Sequence, residues 1–252
     1  MELIYEKVAQ ILKSCGSEFP NIQPTILYNE GWMLRLLLFQ FSTMKLERDG
    51  HPLAFLPGSI WFSEALLPSL FLQRYRGDPL SEAYTHADGV IGHFTIGGRG
   101  KGDCVLKSEA RHFVVTEAKI FSGLSSGVTN DPYYHQAARN TACMVEMMRI
   151  ADIKPEQMAK IGFFVLAPKS KIEQGIYKEK LDKEKIINLV KRRIEAYGGE
   201  KDKWFAEWFL PAINLIQVEA ISWEELIGFC SNNPSFLKEI SAFYESCLQY
   251  NG

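Results

Sequence analysis

Apolar residues recur along the N-terminal part of the chain in patterns that predict helices. Residues 3–12 carry apolar side chains at the helical period and predict an amphipathic helix. A second apolar segment covers residues 59–72, is interrupted at Pro68, and is assigned to the same helical N-terminal region. We expect both segments to pack beside the core of the protein.

The middle of the chain contains two continuous apolar runs, which predict strands buried on both faces. These runs are Phe113–Val115 and Ile161–Leu166. Between them, Asp131 followed by Pro132 predicts the N-cap and first position of a helix that ends near Arg149. Together with the preceding segments, the predicted order is helix, three strands, helix, strand.

The C-terminal third continues the alternation of strands and helices. Residues 215–221 predict a fifth strand, and Ser222 with Glu225 forms a capping box that begins the next helix. Residues 169–193 predict a loop followed by an amphipathic helix. The pattern is therefore typical of an α/β protein.

Two carboxylates and one lysine form the strongest chemical signal in the sequence. A hairpin that turns near residues 108–111 would place Asp103 directly opposite Glu117. Side chains paired in this way share one face, with Cβ atoms about 4.5–5.5 Å apart. The two-residue period of a strand adds Lys119 to that face. Three charged groups are thus predicted to converge at one strand end.

Like charges this close repel each other unless a cation lies between them. Oxygen ligands favour Mg²⁺ or Mn²⁺ over zinc, and the Ala118 carbonyl would add one more oxygen to Asp103 and Glu117. Lys119 would hold an attacking water or offset charge on a phosphate. The alternative is structural: Glu117 and Lys119 form a solvated strand end, and Asp103 is a turn residue.

Charge is nearly balanced over the whole chain, with 28 basic and 30 acidic residues, which gives no global preference for nucleic acid. Residues 169–193, in contrast, contain nine Lys or Arg against four Asp or Glu. A phosphate backbone would fit such a surface, although the lysines are also explained as the solvated face of a helix. Arg99 and Lys101 lie in a glycine loop expected to adjoin the proposed site.

Cysteine spacing and the N-terminal residues bear on localisation. The five cysteines form no close pair and no metal-ligand spacing, which predicts a reduced, cytoplasmic protein. The first residues lack the features of a signal peptide, and the apolar run at residues 34–41 is too short to span a bilayer. We therefore expect no membrane association.

With these residues, the chain resembles the PD-(D/E)XK nuclease superfamily, whose signature is Asp, a spacer, and then Glu-x-Lys. Asp103, Glu117 and Lys119 match the three signature positions. The proline that precedes the first Asp in the family is replaced here by Gly102. The resemblance covers roughly residues 28–167.

Further positions match the family in part. Many members carry a Glu near the start of the first core helix that completes the metal site, and Glu30 fits this position. An exonuclease-type branch adds Q-x3-Y after the lysine; here Gln136 is followed by Asn140, so the tyrosine is absent. The resemblance thus implies Glu30, Asp103, Glu117 and Ala118 as metal ligands, and it implies a role for Gln136.

The resemblance also implies a fold and an activity. The fold is a restriction-endonuclease-like, three-layer α/β/α core with a mixed central sheet and additional N- and C-terminal helices. We expect one domain, with the core at residues 28–167, a helical extension at 1–27 and an α/β elaboration at 168–252. The implied function is a Mg²⁺- or Mn²⁺-dependent nuclease acting on nucleic acid, with DNA expected. A homodimer is compatible with it, since many relatives dimerise to cut both strands.

Two alternatives remain open. The same fold would also serve as a catalytically inactive module that binds nucleic acid or protein. Asp88 opens another strand-like segment, but its spacing to Glu117 implies a different hairpin partner. The sequence therefore leaves Asp88 outside the metal site, as a supporting group or a turn residue.

Overall fold

A five-stranded sheet organises the protein in the computed structural model, which describes residues 2–44, 51–98, 100–128 and 130–252. The strands of this sheet are β1 (Ile60–Leu67), β2 (Thr85–Gly92), β5 (His112–Ala118), β6 (Lys160–Ala167) and β7 (Gln217–Ser222). Two short strands, β3 (Phe94–Ile96) and β4 (Cys104–Leu106), form a separate hairpin.

The sheet is mixed. Its order is β1-β2-β5-β6-β7, with β1, β2 and β5 antiparallel and β5, β6 and β7 parallel. Parallel pairs need crossover connections, which helices supply between β5 and β6 and between β6 and β7. The α/β class predicted from the alternating pattern is confirmed.

Helices surround the sheet. Their bounds are α1 (Glu2–Lys13), α2 (Glu30–Thr43), α3 (Gln136–Ile150), α4 (Lys169–Glu173), α5 (Lys183–Glu195), α6 (Asp202–Trp204), a π-helical turn (Phe205–Phe209), α7 (Leu210–Leu215), α8 (Trp223–Gly228) and α9 (Pro234–Asn251). None of the described helices is both long and apolar enough to cross a membrane. Cytoplasmic localisation stays a prediction.

Alternate residues of β5 pack against two different hydrophobic clusters. Phe113 and Val115 face a cluster that includes residues of α3, α5 and α7, whereas Val114 faces one that includes residues of α2, α8 and α9. Every residue of β5 is buried. The continuous apolar run that predicted a central strand therefore reflects helices on both faces of the sheet.

Two predictions about elements are wrong. The segment at residues 59–72 contains strand β1 rather than a helix: seven of the eight residues of β1 pair with β2, and Pro68 follows the last of them. Helix α3 begins at Gln136, not after Asp131. Asp131 instead accepts a hydrogen bond from the Tyr133 amide at 3.1 Å, so its side chain stabilises a turn before the helix.

Candidate active site

The pairing of β2 with β5 brings one carboxylate from each strand together. Gly89 pairs with Thr116, so the next step of the register places Asp88 opposite Glu117. The backbone N–H of Ala118 donates a hydrogen bond to Asp88 Oδ2 at 2.8 Å. Because N–H and C=O of a strand residue point to the same side, the Ala118 carbonyl also faces β2. Two carboxylates therefore lie side by side where β5 ends.

Lys119 lies between these two carboxylates. Its Nζ is 3.3 Å from Glu117 Oε2 and 3.6 Å from Asp88 Oδ2, and its side chain is 12% exposed. Burial alone would lower the pKa of Lys119, but the charges of Glu117, Asp88 and Glu30 outweigh burial and raise it. Lys119 is thus a cation at neutral pH, and Glu30 lies near enough for its charge to raise the pKa of Lys119.

Both carboxylate oxygens of Glu117 accept hydrogen bonds from helix α3. Gln136 Nε2 donates to Oε2 at 2.6 Å, and Asn140 Nδ2 donates to Oε1 at 2.9 Å. Glu117 is fully buried, and burial raises its pKa to about 8, with the charge of Asp88 adding to the effect and Lys119 opposing it. The fold holds this carboxylate in one orientation at a considerable electrostatic cost.

The start of helix α3 explains why Gln136 and Asn140 reach the same side chain. Residues four apart lie on one face of a helix. His135 caps the helix, since its Nδ1 accepts a hydrogen bond from the Ala138 amide. A second hydrogen bond fixes the Gln136 side chain, because its Oε1 accepts from the Ser125 amide at 3.2 Å. The first turn of α3 is therefore fixed over the carboxylates.

The structure does not place Asp103 opposite Glu117, so the predicted hairpin register is wrong. Ile96 pairs with Cys104 in the β3–β4 hairpin, and Asp103 forms a bridge with Leu66 on the outer side of β1. With β1 and β2 in between, Asp103 and β5 are about 14 Å apart at the usual strand spacing.

The surroundings of Asp103 also differ from those of a catalytic carboxylate. It lines a cavity of about 310 Å³ whose other lining residues are mostly apolar, among them Leu66 and Met147. Lys101 belongs to the same turn, and Arg99 lies outside the described residues. The carboxylate that lies beside Glu117 and Lys119 is therefore that of Asp88 and not that of Asp103.

The donor atoms at this site suit a hard divalent cation. Asp88 and Glu117 supply carboxylate oxygens and Ala118 a carbonyl oxygen, and such ligands favour Mg²⁺ or Mn²⁺. Burial is the main cause of the raised pKa of Glu117, and the neighbouring charge of Asp88 adds to it. Within the described residues, no group of three or more His, Cys, Asp and Glu side chains is arranged to hold a metal ion.

The sequence interpretation found Glu117, Lys119 and Gln136 and missed the roles of Asp88 and Asn140. The structure brings all five of these residues together. The signals for the two missed residues were present: Asp88 precedes a glycine in a strand-like segment, and Asn140 follows Gln136 by four positions.

Comparisons with known proteins identified no relative of the chain. No family model matches the chain, and neither a curated protein nor a solved structure shows significant similarity to it. The geometry of the site is therefore the basis for a functional assignment.

Proposed function

We propose that the protein is a metal-dependent nuclease that hydrolyses phosphodiester bonds of nucleic acid, with DNA as the expected substrate. The observation that carries this proposal is the paired carboxylates of Asp88 and Glu117 with Lys119 between them. Carboxylates forced together at a strand end, beside a buried lysine, are costly for the fold unless they serve a site.

The order of the elements supports the resemblance to the restriction-endonuclease-like fold. Along the chain, α2 is followed by β1, β2 and β5, then by α3 and β6, with the β3–β4 hairpin inserted before β5. This is the helix, three strands, helix, strand order of that fold, on a mixed sheet. We propose that the chain has this fold, with Asp88, Glu117 and Lys119 as its signature residues.

Each residue has a distinct role in the proposed reaction. Asp88 and Glu117 would hold the metal ion together with the Ala118 carbonyl, and Glu30 lies near enough to add negative charge. When bound, the ion lowers the pKa of a water molecule and neutralises charge on the scissile phosphate. Lys119 Nζ orients the attacking water and offsets charge that develops on the phosphate. Gln136 and Asn140 hold both oxygens of Glu117 in place.

The test is a cleavage assay with purified wild type and Lys119→Ala. Labelled single- and double-stranded DNA and RNA are incubated with Mn²⁺ or with EDTA, and the products are resolved on a gel. Lys203→Ala is the matched control, because the Lys203 side chain is 82% exposed and belongs to α6, away from the site. We expect cleavage by wild type and the control, and none by Lys119→Ala or in EDTA.

The same assay separates the nuclease from the inactive binding module. If wild type cleaves no substrate and calorimetry shows no Mn²⁺ binding, the nuclease proposal is refuted and the binding module takes its place. Sedimentation of the wild type with and without substrate tests the homodimer expected from the resemblance.

A further inference from the structure

The loop that joins β5 to α3 carries two exposed aromatic side chains at its ends. We call residues 119–135 the site loop, because it begins at Lys119 and ends just before Gln136. Phe121 is 40% exposed and Tyr133 is 67% exposed. Both rings therefore lie at the surface within three residues of a group at the candidate active site.

Each of these rings has a cation beside it. Lys171 Nζ is 5.8 Å from the centre of the Phe121 ring, and the Arg192 guanidinium carbon is 4.9 Å from the centre of the Tyr133 ring. The Arg192 side chain remains 45% exposed although it also pairs with Asp131. An aromatic ring with a cation over it thus occurs near each end of the site loop.

The basic segment at residues 169–193 runs along the site loop. Tyr177 Oη donates a hydrogen bond to the Ser122 carbonyl at 3.0 Å, and Lys180 Nζ donates to the Leu124 carbonyl. The segment contains nine Lys and Arg residues against four Asp and Glu, and of these Lys180 contacts the loop directly, while Lys171 and Arg192 lie over its two exposed rings. Three cations, Lys171, Lys180 and Arg192, therefore lie at the site loop in a protein whose net charge is −2.

Aromatic rings combined with a basic surface are the arrangement that binds unpaired nucleotides. Base stacking on an aromatic ring changes affinity on the order of tenfold or more per base and needs a base with a free face. In a duplex the faces of the bases are covered by their neighbours, and only edges and phosphates are accessible. Exposed rings at both ends of the site loop therefore favour single strands over duplexes.

We propose that the candidate active site acts on single-stranded nucleic acid, whose bases stack on Phe121 and Tyr133 while its phosphates contact Lys171 and Arg192. The inference rests on the proposed nuclease function, because it assigns a substrate class to that same site. It concerns the strandedness of the substrate, and both DNA and RNA offer the required base faces and phosphates.

Binding in EDTA tests the inference without relying on cleavage. Anisotropy of labelled 12-nucleotide single strands of DNA and RNA, and of the corresponding duplexes, is measured for wild type, Tyr133→Ala and Tyr133→Phe. Tyr75→Ala is the matched control, because Tyr75 is 58% exposed and has Arg74 5.7 Å from its ring centre, but lies outside the site loop.

We expect wild type to bind a single strand at least about tenfold more tightly than a duplex. Tyr133→Ala should weaken single-strand binding by about tenfold, since one stacked base is lost. Tyr133→Phe keeps the aromatic face and should stay within about twofold of wild type, as should Tyr75→Ala. Comparison of the affinities for the DNA and RNA single strands then shows whether deoxyribose or ribose is preferred.

Equal or tighter binding of duplexes, or unchanged single-strand binding by Tyr133→Ala, would overturn the inference. Failure of the proposed nuclease function has a different signature. A protein that binds single strands through Tyr133 in EDTA but cleaves nothing with Mn²⁺ refutes the nuclease and supports the stacking site. A protein that cleaves only duplexes refutes the stacking site and supports the nuclease.

Discussion

Replacing Glu117 by glutamine is expected to stabilise the metal-free protein while it abolishes cleavage. The Glu117 side chain is fully buried, and its charge is opposed by burial and by the neighbouring Asp88. The substitution keeps the shape of the side chain and removes the charge. The residue that we propose as a metal ligand is thus also expected to weaken the metal-free fold.

The size of the effect follows from the pKa of Glu117, which is about 8 in the fold against an ordinary value of 4.5. A folded pKa above the unfolded one means that stability is lost as the pH rises from 4.5 towards 8. Each pH unit in this range costs about 1.4 kcal/mol, which gives about 3 kcal/mol at pH 7 and less than about 1 kcal/mol at pH 5.

Hydrogen bonding offsets part of this gain. The introduced amide has only one acceptor oxygen, whereas Glu117 accepts from both Gln136 and Asn140. The buried Asn140 Oδ1 has no hydrogen-bond donor within the described part of the chain. A rotated Asn140 amide can accept from the new glutamine, but its Nδ2 then loses the hydrogen bond that it donates to the Gln136 carbonyl at 3.2 Å. The attraction of Lys119 needs no separate correction, because it already lowers the pKa from which the gain was derived. We expect a net gain of about 1–3 kcal/mol at pH 7.

The measurement is urea unfolding in EDTA at pH 5, 7 and 8.5, followed by tryptophan fluorescence. Glu146→Gln is the matched control, because Glu146 is also buried on the α3 side but forms two 2.7 Å contacts with Arg149. This control should lose stability, since its charge is paired. If Glu117→Gln is less stable than wild type at pH 7, or its gain does not grow with pH, the reasoning about Glu117 is wrong.

Three other perturbations test separate parts of the structure. Asn140→Ala removes the hydrogen bond to Glu117 Oε1 and should weaken Mn²⁺ binding by about 10–100-fold in calorimetry; unchanged affinity would show that Asn140 does not position Glu117. Gly92 has a φ of +150°, and an added Cβ would lie 2.1 Å from the His112 carbonyl oxygen. Gly92→Ala should therefore lower the free energy of unfolding by more than about 2 kcal/mol. A smaller loss would contradict the observed close approach. Burial lowers the pKa of His112 to about 3, so the unfolded state takes up a proton first as the pH falls below 6.5. Between pH 6.5 and pH 5, the free energy of unfolding of wild type should therefore fall by about 2 kcal/mol more than that of His112→Gln. Equal losses would show that His112 does not cause the acid sensitivity.

Features that depend on neighbouring residues in the chain were predictable from sequence. The buried strands β5 and β6 follow from continuous apolar runs, and Ser222 begins helix α8 by accepting a hydrogen bond from the Glu225 amide, as the capping box predicts. Glu117 lies in β5 and Lys119 directly follows its last residue, and continuing the two-residue period puts both on one face. Gln136 was assigned through the family resemblance, because its contact with Glu117 joins α3 to β5 and does not follow from helical period alone.

The error at Asp103 arose from a contact between strands that are distant in sequence. A simple hairpin would join β5 to the segment just before it, but that segment pairs with β3 instead. The inserted β3–β4 hairpin lets β5 pair with β2, and Asp88 becomes the partner of Glu117. Spacing along the chain carries no information about such an insertion, because strand register is set by which apolar faces are buried together.

We propose that Asp88, and not Asp103, forms the active site with Glu117 and Lys119. The most direct measurement is Mn²⁺-dependent cleavage of labelled nucleic acid by wild type, Asp88→Ala and Asp103→Ala, with circular dichroism to verify that each variant is folded. We expect Asp88→Ala to lose cleavage and Asp103→Ala to cleave as wild type does. Full activity of folded Asp88→Ala, with loss of activity in Asp103→Ala, would contradict the account.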